Sequence, residues 1–220
     1  VGQDFVNVPA TGPAAIFFTR RGNLGLATSL VDWILEHLID AGTGLVFDGA
    51  RVGPDGSIRT VERNVYSYCQ GVLLGACVEL DAVTGAPHWA EQADRTVHAV
   101  AEHLTEGGVL RGHGGGDGGL FTGILARYLA LAATVPPASG LASGPVAARL
   151  VLDSAEAAWR NRDIAAGGPV FGPQWTVPAR APGPGLAPGP GLAERDLSVQ
   201  LSGWMLLEAA AELERAGRVP

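Results

Sequence analysis

The chain predicts an all-α fold of about seven helices, and three observations carry that expectation. Apolar residues recur at three- and four-residue steps in segment after segment, which is the spacing of a helix buried along one face. No segment shows the apolar-polar alternation of a half-buried strand. Glycine-rich loops separate the helical segments at intervals that allow antiparallel hairpins, the arrangement of bundles and of toroids built from helical pairs.

Composition frames the same conclusion. At 220 residues the chain is expected to form one domain, 1–220, large enough to bury a substantial core. Hydrophobic residues make up 47% and charged residues only 17%, which argues for a compact protein and against disorder. A net charge of -7 leaves no basic surface to attract phosphates, so nucleic acid is excluded as a partner. No apolar run approaches the roughly 18 residues of a membrane span. The opening residues VGQDFVNVP lack the basic-then-apolar pattern of a signal, which leans toward a cytoplasmic protein. The first residue is Val1 and not methionine, which suggests that something has been removed upstream.

Taken in order, residues 13–21 read as a short helix and 24–39 as an amphipathic one with Leu26, Leu30, Trp33, Ile34 and Leu38 on one face; the two form either separate helices or one bent near Gly22. Residues 40–63 carry five glycines and Pro54, and read as a long surface excursion with a short extended piece at Leu45, Val46 and Phe47. Residues 66–85 form the central helix, with Val72, Leu73, Ala76, Val78, Leu80 and Val83 apolar and Gly85 as its left-handed stop. Pro87 opens the next helix, 87–104, in the first turn, where its missing N–H is harmless. A glycine-rich loop at 113–119 runs into a helix at 120–134, and a further amphipathic helix occupies 146–162. Residues 167–194 are too rich in Pro and Gly for regular structure, and 178–194 in particular reads as a flexible loop. A last helix spans 196–217 with Asp196 as its cap.

The polar residues that stand out precede alternate helices. They are Tyr66, Tyr68 and Gln70, then Asp117 to Thr122, then Phe171 to Trp175. In an up-and-down helical array alternate loops emerge on one face, so these three groups are expected to line one cleft. Asp117 has glycine neighbours that allow close backbone approach to a ligand, and a carboxylate recognises sugar hydroxyls well; a turn aspartate bonding its own backbone is the alternative. Trp175 offers a face for a pyranose or a plug for the core. Asp48 reads as a turn residue, and Glu91 and Asp94 as a solvated helix face.

In this order the segments resemble the C-terminal part of glycoside hydrolase family 76, which contains bacterial endo-α-1,6-mannanases and related fungal cell-wall mannosidases. Ser67-Tyr68-Cys69-Gln70-Gly71, with Glu79-Leu80 and Thr84-Gly85, is similar to that family's Thr-Tyr-Asn-Gln-Gly helix. Asp117 through Phe121-Thr122-Gly123 and Arg127-Tyr128-Leu129 resemble its glycine loop and following helix, and Phe171-Gly172-Pro173-Gln174-Trp175 its late Phe-Gly-x-x-Trp turn. The resemblance implies an (α/α)6 toroid of which about seven helices are present, an incomplete ring. It implies a retaining hydrolase of α-1,6-linked mannan or a related α-mannoside, with Tyr66, Tyr68, Gln70, Asp117 and Trp175 as substrate-binding residues.

Two departures bear on this. Cys69 and Thr122 replace the motif's asparagine and lysine, and the chain contains no pair of adjacent aspartates, which is the family's catalytic pair. No catalytic residue is therefore assigned within the chain, and the pair is expected upstream. A non-catalytic carbohydrate-binding or scaffold protein on the same fold is the first alternative, and another sugar-processing toroid enzyme the second. The open ring is expected to be covered by a missing N-terminal segment or by another subunit.

No cofactor or metal is expected. His98 and His103 are five residues apart, not the three or four that share a helix face, and His37, His88 and His113 are scattered. Cys69 and Cys77 lie eight residues apart on one helix, about 12 Å of rise, too far for a disulfide. The GHGGGDGG run lacks the Lys-Ser/Thr of a phosphate-binding loop.

Overall fold

The computed structural model describes residues 4–134, 141–165, 167–180 and 196–218. The fold is all-α, with helices α1 (Val8–Arg20), α2 (Leu24–His37), α3 (Ser67–Thr84), α4 (Pro87–His103), α5 (Phe121–Thr134), α6 (Gly144–Arg160) and α7 (Leu197–Arg215). The odd helices pack in series, α1 on α3, α3 on α5 and α5 on α7, while α2, α4 and α6 lie behind their hairpin partners. That is an arc of an α/α toroid: an inner row of like-directed helices and an outer row of returning ones.

Small residues set the spacing of the inner row. A Cβ on Gly12 would sit 2.8 Å from the Val72 side chain, one on Gly71 3.0 Å from the Leu125 Cα, and one on Gly123 2.6 Å from the Ser202 Cα. Glycine therefore occurs where inner helices approach too closely to admit a Cβ. The central member, α3, buries thirteen of its eighteen residues, including Cys69 and Cys77, because it has neighbours on three sides. Burial raises the pKa of both thiols, which form no disulfide and stay neutral.

Several boundaries differ from the sequence expectation for local reasons. Helix α1 begins at Val8, five residues before the expected start. Asn7 caps it by accepting from Ala10 N at 3.2 Å, and Pro9 falls in the first turn where its missing N–H costs nothing. Between α1 and α2, Gly22 adopts φ 76°, so the chain reverses into two helices and does not bend as one. Asp94 is not a freely solvated charge: its carboxylate accepts from Ser143 N at 2.7 Å and Ala142 N at 3.3 Å, tying α4 to the start of α6.

Short strands are present where none was expected. β1 (Phe5–Asn7), β2 (Gly49–Val52) and β3 (Ile58–Glu62) form one antiparallel sheet. β4 (Thr105–Glu106) with β5 (Val109–Leu110), and β6 (Asp163–Ala165) with β7 (Gly168–Val170), form two hairpins. The β2-β3 turn is built by Asp55, whose Oδ1 accepts from Ser57 N and Ser57 Oγ. In chain order each β element comes between an outer helix, or the first described residues, and the next inner helix. The expected flexible loop 178–194 lies almost wholly outside the described residues, only 178–180 being described.

Candidate functional site

The inner helices all begin at one end of the arc, and there the preceding loops interlock. The start of α3 is the centre of that end. Tyr66 and Tyr68 stack with ring centroids 5.9 Å apart, and Phe121, the first residue of α5, closes on both at 5.3 and 4.3 Å. His113, from the glycine-rich loop, adds a fourth ring 5.6 Å from Phe121 and 6.2 Å from Tyr66. Its Nε2 accepts a hydrogen bond from Ser67 N at 3.2 Å, so that nitrogen carries no proton and the ring is neutral. Burial holds the His113 pKa below the ordinary imidazole value, in agreement with that geometry.

A carboxylate stands beside this cluster. Asp48 follows the buried Leu45-Val46-Phe47 piece, and its Oδ1 is 3.8 Å from Cys69 Sγ. Its backbone is fixed on both sides: Asp48 O accepts from Val8 N and Asp48 N donates to Asn64 O, both at 2.9 Å. Partial burial raises the Asp48 pKa, with Glu62 adding to the effect. Burial, and then the neighbouring Cys69 and Asp48, push the Tyr68 phenol well above its usual value, so it remains a neutral hydrogen-bonding group. Three partly buried aromatic faces and one carboxylate can grip a pyranose, the rings meeting C–H faces and the carboxylate a pair of hydroxyls.

The other residues singled out in the sequence take different places. Gln70 is 0% exposed and does not face the cleft. Its Oε1 accepts from Val46 N at 2.8 Å, and its Nε2 donates to Val46 O at 2.9 Å and Tyr66 O at 3.0 Å. The carboxamide thus fastens the segment leading to Asp48 onto the start of α3. Trp175, at 4% exposure, is the core plug and not a stacking platform; its carbonyl accepts from Asn161 Nδ2. Asp117 is exposed on a 3-10 turn, Gly116–Leu120, at the rim. The Thr122 hydroxyl turns inward and donates to Arg111 O at 2.9 Å.

The third loop reaches the same end through Gln174. Its side chain accepts from Gly112 N and donates to Gly112 O, each at 3.1 Å, next to His113. A Cβ on Gly112 would fall 1.7 Å from Pro173 O, so only glycine permits this contact. Gly116 N in turn donates to Asp196 Oδ2 at 2.6 Å, joining the glycine loop to the start of α7.

Asp48 and His113 are site members that the sequence does not single out, whereas Phe121 lies within the Asp117 to Thr122 group expected to line the cleft. Their signal was position: each lies in, or directly after, a loop that precedes an inner helix. Among the described residues, no group of three His, Cys, Asp or Glu side chains is placed to hold a metal.

The family model described as glycosyl hydrolase family 76 matches residues 18–187. Among solved structures, the GH76A α-1,6-mannanase from Salegentibacter sp. HEL1_6 is 32% identical, with TM-score 0.76, covering 96% of this chain and 60% of that one. The Lin0763 protein from Listeria innocua is 26% identical, with TM-score 0.76, covering 96% of this chain and 57% of that one. Dfg5 from Chaetomium thermophilum, solved with glucosamine, shares the fold at 17% identity and TM-score 0.74, covering 100% of this chain and 54% of that one. No curated protein matches. The chain therefore spans 60% or less of the length of these solved relatives. A family match over most of the chain, carried on the same helical arc, identifies it as a member of glycosyl hydrolase family 76.

Proposed function

We propose that this chain forms the sugar-binding wall of a glycoside hydrolase acting on α-1,6-linked mannan. The observation that carries the proposal is the cluster of Tyr66, Tyr68, Phe121 and Asp48 at the end of the inner helices, where polar and aromatic groups converge. In support, the Salegentibacter mannanase was solved with α-1,6-mannotetrose and with α-1,6-mannotriose, in variants made inactive by replacing two neighbouring aspartates.

Retaining hydrolysis requires one carboxylate as nucleophile and one carboxylic acid to protonate the leaving oxygen, about 5 Å apart. This chain has no adjacent aspartates, so the proposal requires that the pair come from outside these 220 residues. The edges of the arc are suited to receive the structure that would carry them. Phe17 on α1 is 58% exposed, and Leu197, Leu201 and Trp204 line one face of α7 at 71, 43 and 65%. A groove of about 510 Å³ beside α1 and α2, lined by Leu30, Trp33 and Val52 among others, is likewise open. An apolar face such as that of α7 is a surface on which further structure can pack. Among the described residues, no helix is long and apolar enough to cross a membrane.

The second reading is sugar binding without turnover, and the buried Cys69 thiol and inward-turned Thr122 hydroxyl favour it, since neither offers a strong group to the cleft. Calorimetry with α-1,6-mannotetrose, followed by product analysis on the full-length protein, separates the two. Binding with release of shorter α-1,6-mannosides supports the hydrolase. Saturable binding with the oligosaccharide intact supports the second reading, and no binding of any α-mannoside overturns both.

A further inference from the structure

We propose that His113 is a positioning residue whose neutral imidazole caps α3 and thereby holds the Tyr66–Tyr68 pair against Phe121, so that the aromatic site is assembled only while that ring is unprotonated. The proposal deepens the sugar-binding reading and rests on it for the ligand, though not for the geometry.

Helix α3 lacks a local cap. Tyr66 occupies the N-cap position in an extended conformation and makes no side-chain bond to the helix. The first free backbone donor, Ser67 N, is met instead by His113 Nε2, 46 residues further along the chain. The same ring is packed by Tyr66 and Phe121, so the imidazole simultaneously ends α3 and seats the aromatic cluster.

Protonation removes the only lone pair this arrangement uses. An imidazolium presents N–H at both nitrogens, and its Nε2–H would oppose Ser67 N–H across 3.2 Å. The new charge would also face the positive end of α3. The backbone offers little relief. Gly112 is clamped on both polar atoms by Gln174, and Gly118 lies so close that a Cβ there would be 2.4 Å from His113 O. The ring must therefore rotate out of the cluster, taking its contacts to Tyr66 and Phe121 with it.

The groups that face His113 do not compensate the charge. The residue before α3 contributes Tyr66, a phenol, with Tyr68 stacked against it and Asp48 beyond Tyr68. α5 contributes uncharged Phe121, and the loop at 171–175 uncharged Gln174. The 3-10 turn brings exposed Asp117, and Arg111 precedes the ring by two residues. Among the described residues, no carboxylate hydrogen-bonds to the imidazole.

The test uses the full-length protein with isotope-labelled histidine and serine. Wild type, His113→Gln and His113→Phe are titrated from about pH 8 to about pH 5, across the ordinary imidazole range. Nitrogen shifts report the His113 tautomer, the Ser67 amide shift reports the cap, and calorimetry with α-1,6-mannotetrose reports the site. In the wild type we expect a proton on Nδ1 only at neutral pH, a Ser67 amide that moves as His113 titrates, and an affinity that falls about tenfold on acidification, the worth of one cap. Gln retains a neutral acceptor, so at neutral pH that variant keeps its affinity within about twofold, and its Ser67 amide no longer titrates. Phe keeps the ring without the acceptor and binds weakly at every pH.

A proton on Nε2 at neutral pH, a Ser67 amide shift that still titrates in His113→Gln, or wild-type affinity at neutral pH in His113→Phe would each overturn the proposal. If no oligosaccharide binds, the sugar-site reading fails. The tautomer and the Ser67 amide titration then decide the positioning role by themselves.

Discussion

Replacing Gly123 by alanine is predicted to loosen the contact between α5 and α7, and the structure sets the size of the effect. The added methyl would lie 2.6 Å from Ser202 Cα and 2.9 Å from Ser202 O, where ordinary carbon contacts need about 3.5–4.0 Å. The helices would have to separate by about 1 Å, an overpacking worth about 1–3 kcal/mol. Separation would also strain the bond from Gly123 N to Ser202 Oγ, 2.8 Å long, by which α7 caps the first turn of α5; that adds about 1 kcal/mol. Alanine's better helix propensity returns about 1 kcal/mol, leaving a net loss of about 2 kcal/mol. Gly25→Ala is the matched control, because a Cβ there meets nothing within 4 Å and the helix should gain about 0.5 kcal/mol. Urea unfolding of the two variants, with m-values compared to confirm an unchanged denatured state, reads the difference. If Gly123→Ala proves as benign as Gly25→Ala, the inner helices do not approach as closely as described, and the packing argument for the arc is wrong.

Three further predictions concern single side chains. Gln70→Leu preserves volume but strands the buried N–H and C=O of Val46, and should cost about 3 kcal/mol in denaturant unfolding; a loss of sugar affinity with unchanged stability would return Gln70 to the cleft. Asp94→Ala removes the acceptor for Ser143 N and Ala142 N at the start of α6, and should lower stability by about 1 kcal/mol, whereas Glu91→Ala, on the exposed side of α4, should leave it unchanged. Asp48 bears on pH. Its folded pKa is raised, so its favourable contribution is complete below the unfolded value of 3.8 and is lost as pH rises through the folded value. Asp48→Asn should therefore be more stable than wild type at neutral pH, with the difference shrinking as pH falls toward 3.8 in parallel melting curves, while sugar affinity drops. A stability gap that widens on acidification would reverse the sign and refute the desolvation account.

Much of the helical architecture was legible because its signals are local. Gly85 stops α3 in the left-handed conformation, at φ 64°, and Pro87 starts α4, as neighbours in sequence indicate. The strands were not legible, since each is two to five residues long and too short for alternation to register. The Gly53-Pro54-Asp55-Gly56-Ser57 run is nonetheless a turn signal, and it closes the β2-β3 hairpin. At the site, residue type misled where burial decided the role. Gln70 and Trp175 carry the right groups for sugar, yet one is consumed by Val46 and Tyr66 backbone and the other by the core. Conversely His113 and Ser67, 46 residues apart, meet only because α3 and the glycine loop share one end of the arc, a relation no local pattern encodes.

The placement of the site follows from the direction of the inner helices. Because α1, α3, α5 and α7 all start at one end, that end gathers four sets of unpaired backbone N–H groups and the positive ends of four helix dipoles. Three starts are met by side chains: Asn7 caps α1, His113 meets α3 and Ser202 meets α5. Asp196, expected to cap α7, occupies its N-cap position but makes no side-chain bond to that helix, because its carboxylate accepts from Gly116 N. Two of those partners come from a distant part of the chain, so the loops are fastened to one another by the need to cap helices. A row of helices whose starts are capped across the row holds its loops in register, and loops in register bring Tyr66, Tyr68 and Phe121 within ring contact. Rigidity at this end is thus a by-product of helix termination. It is also what a sugar site needs, since hydroxyl and C–H faces are recognised by groups already in place.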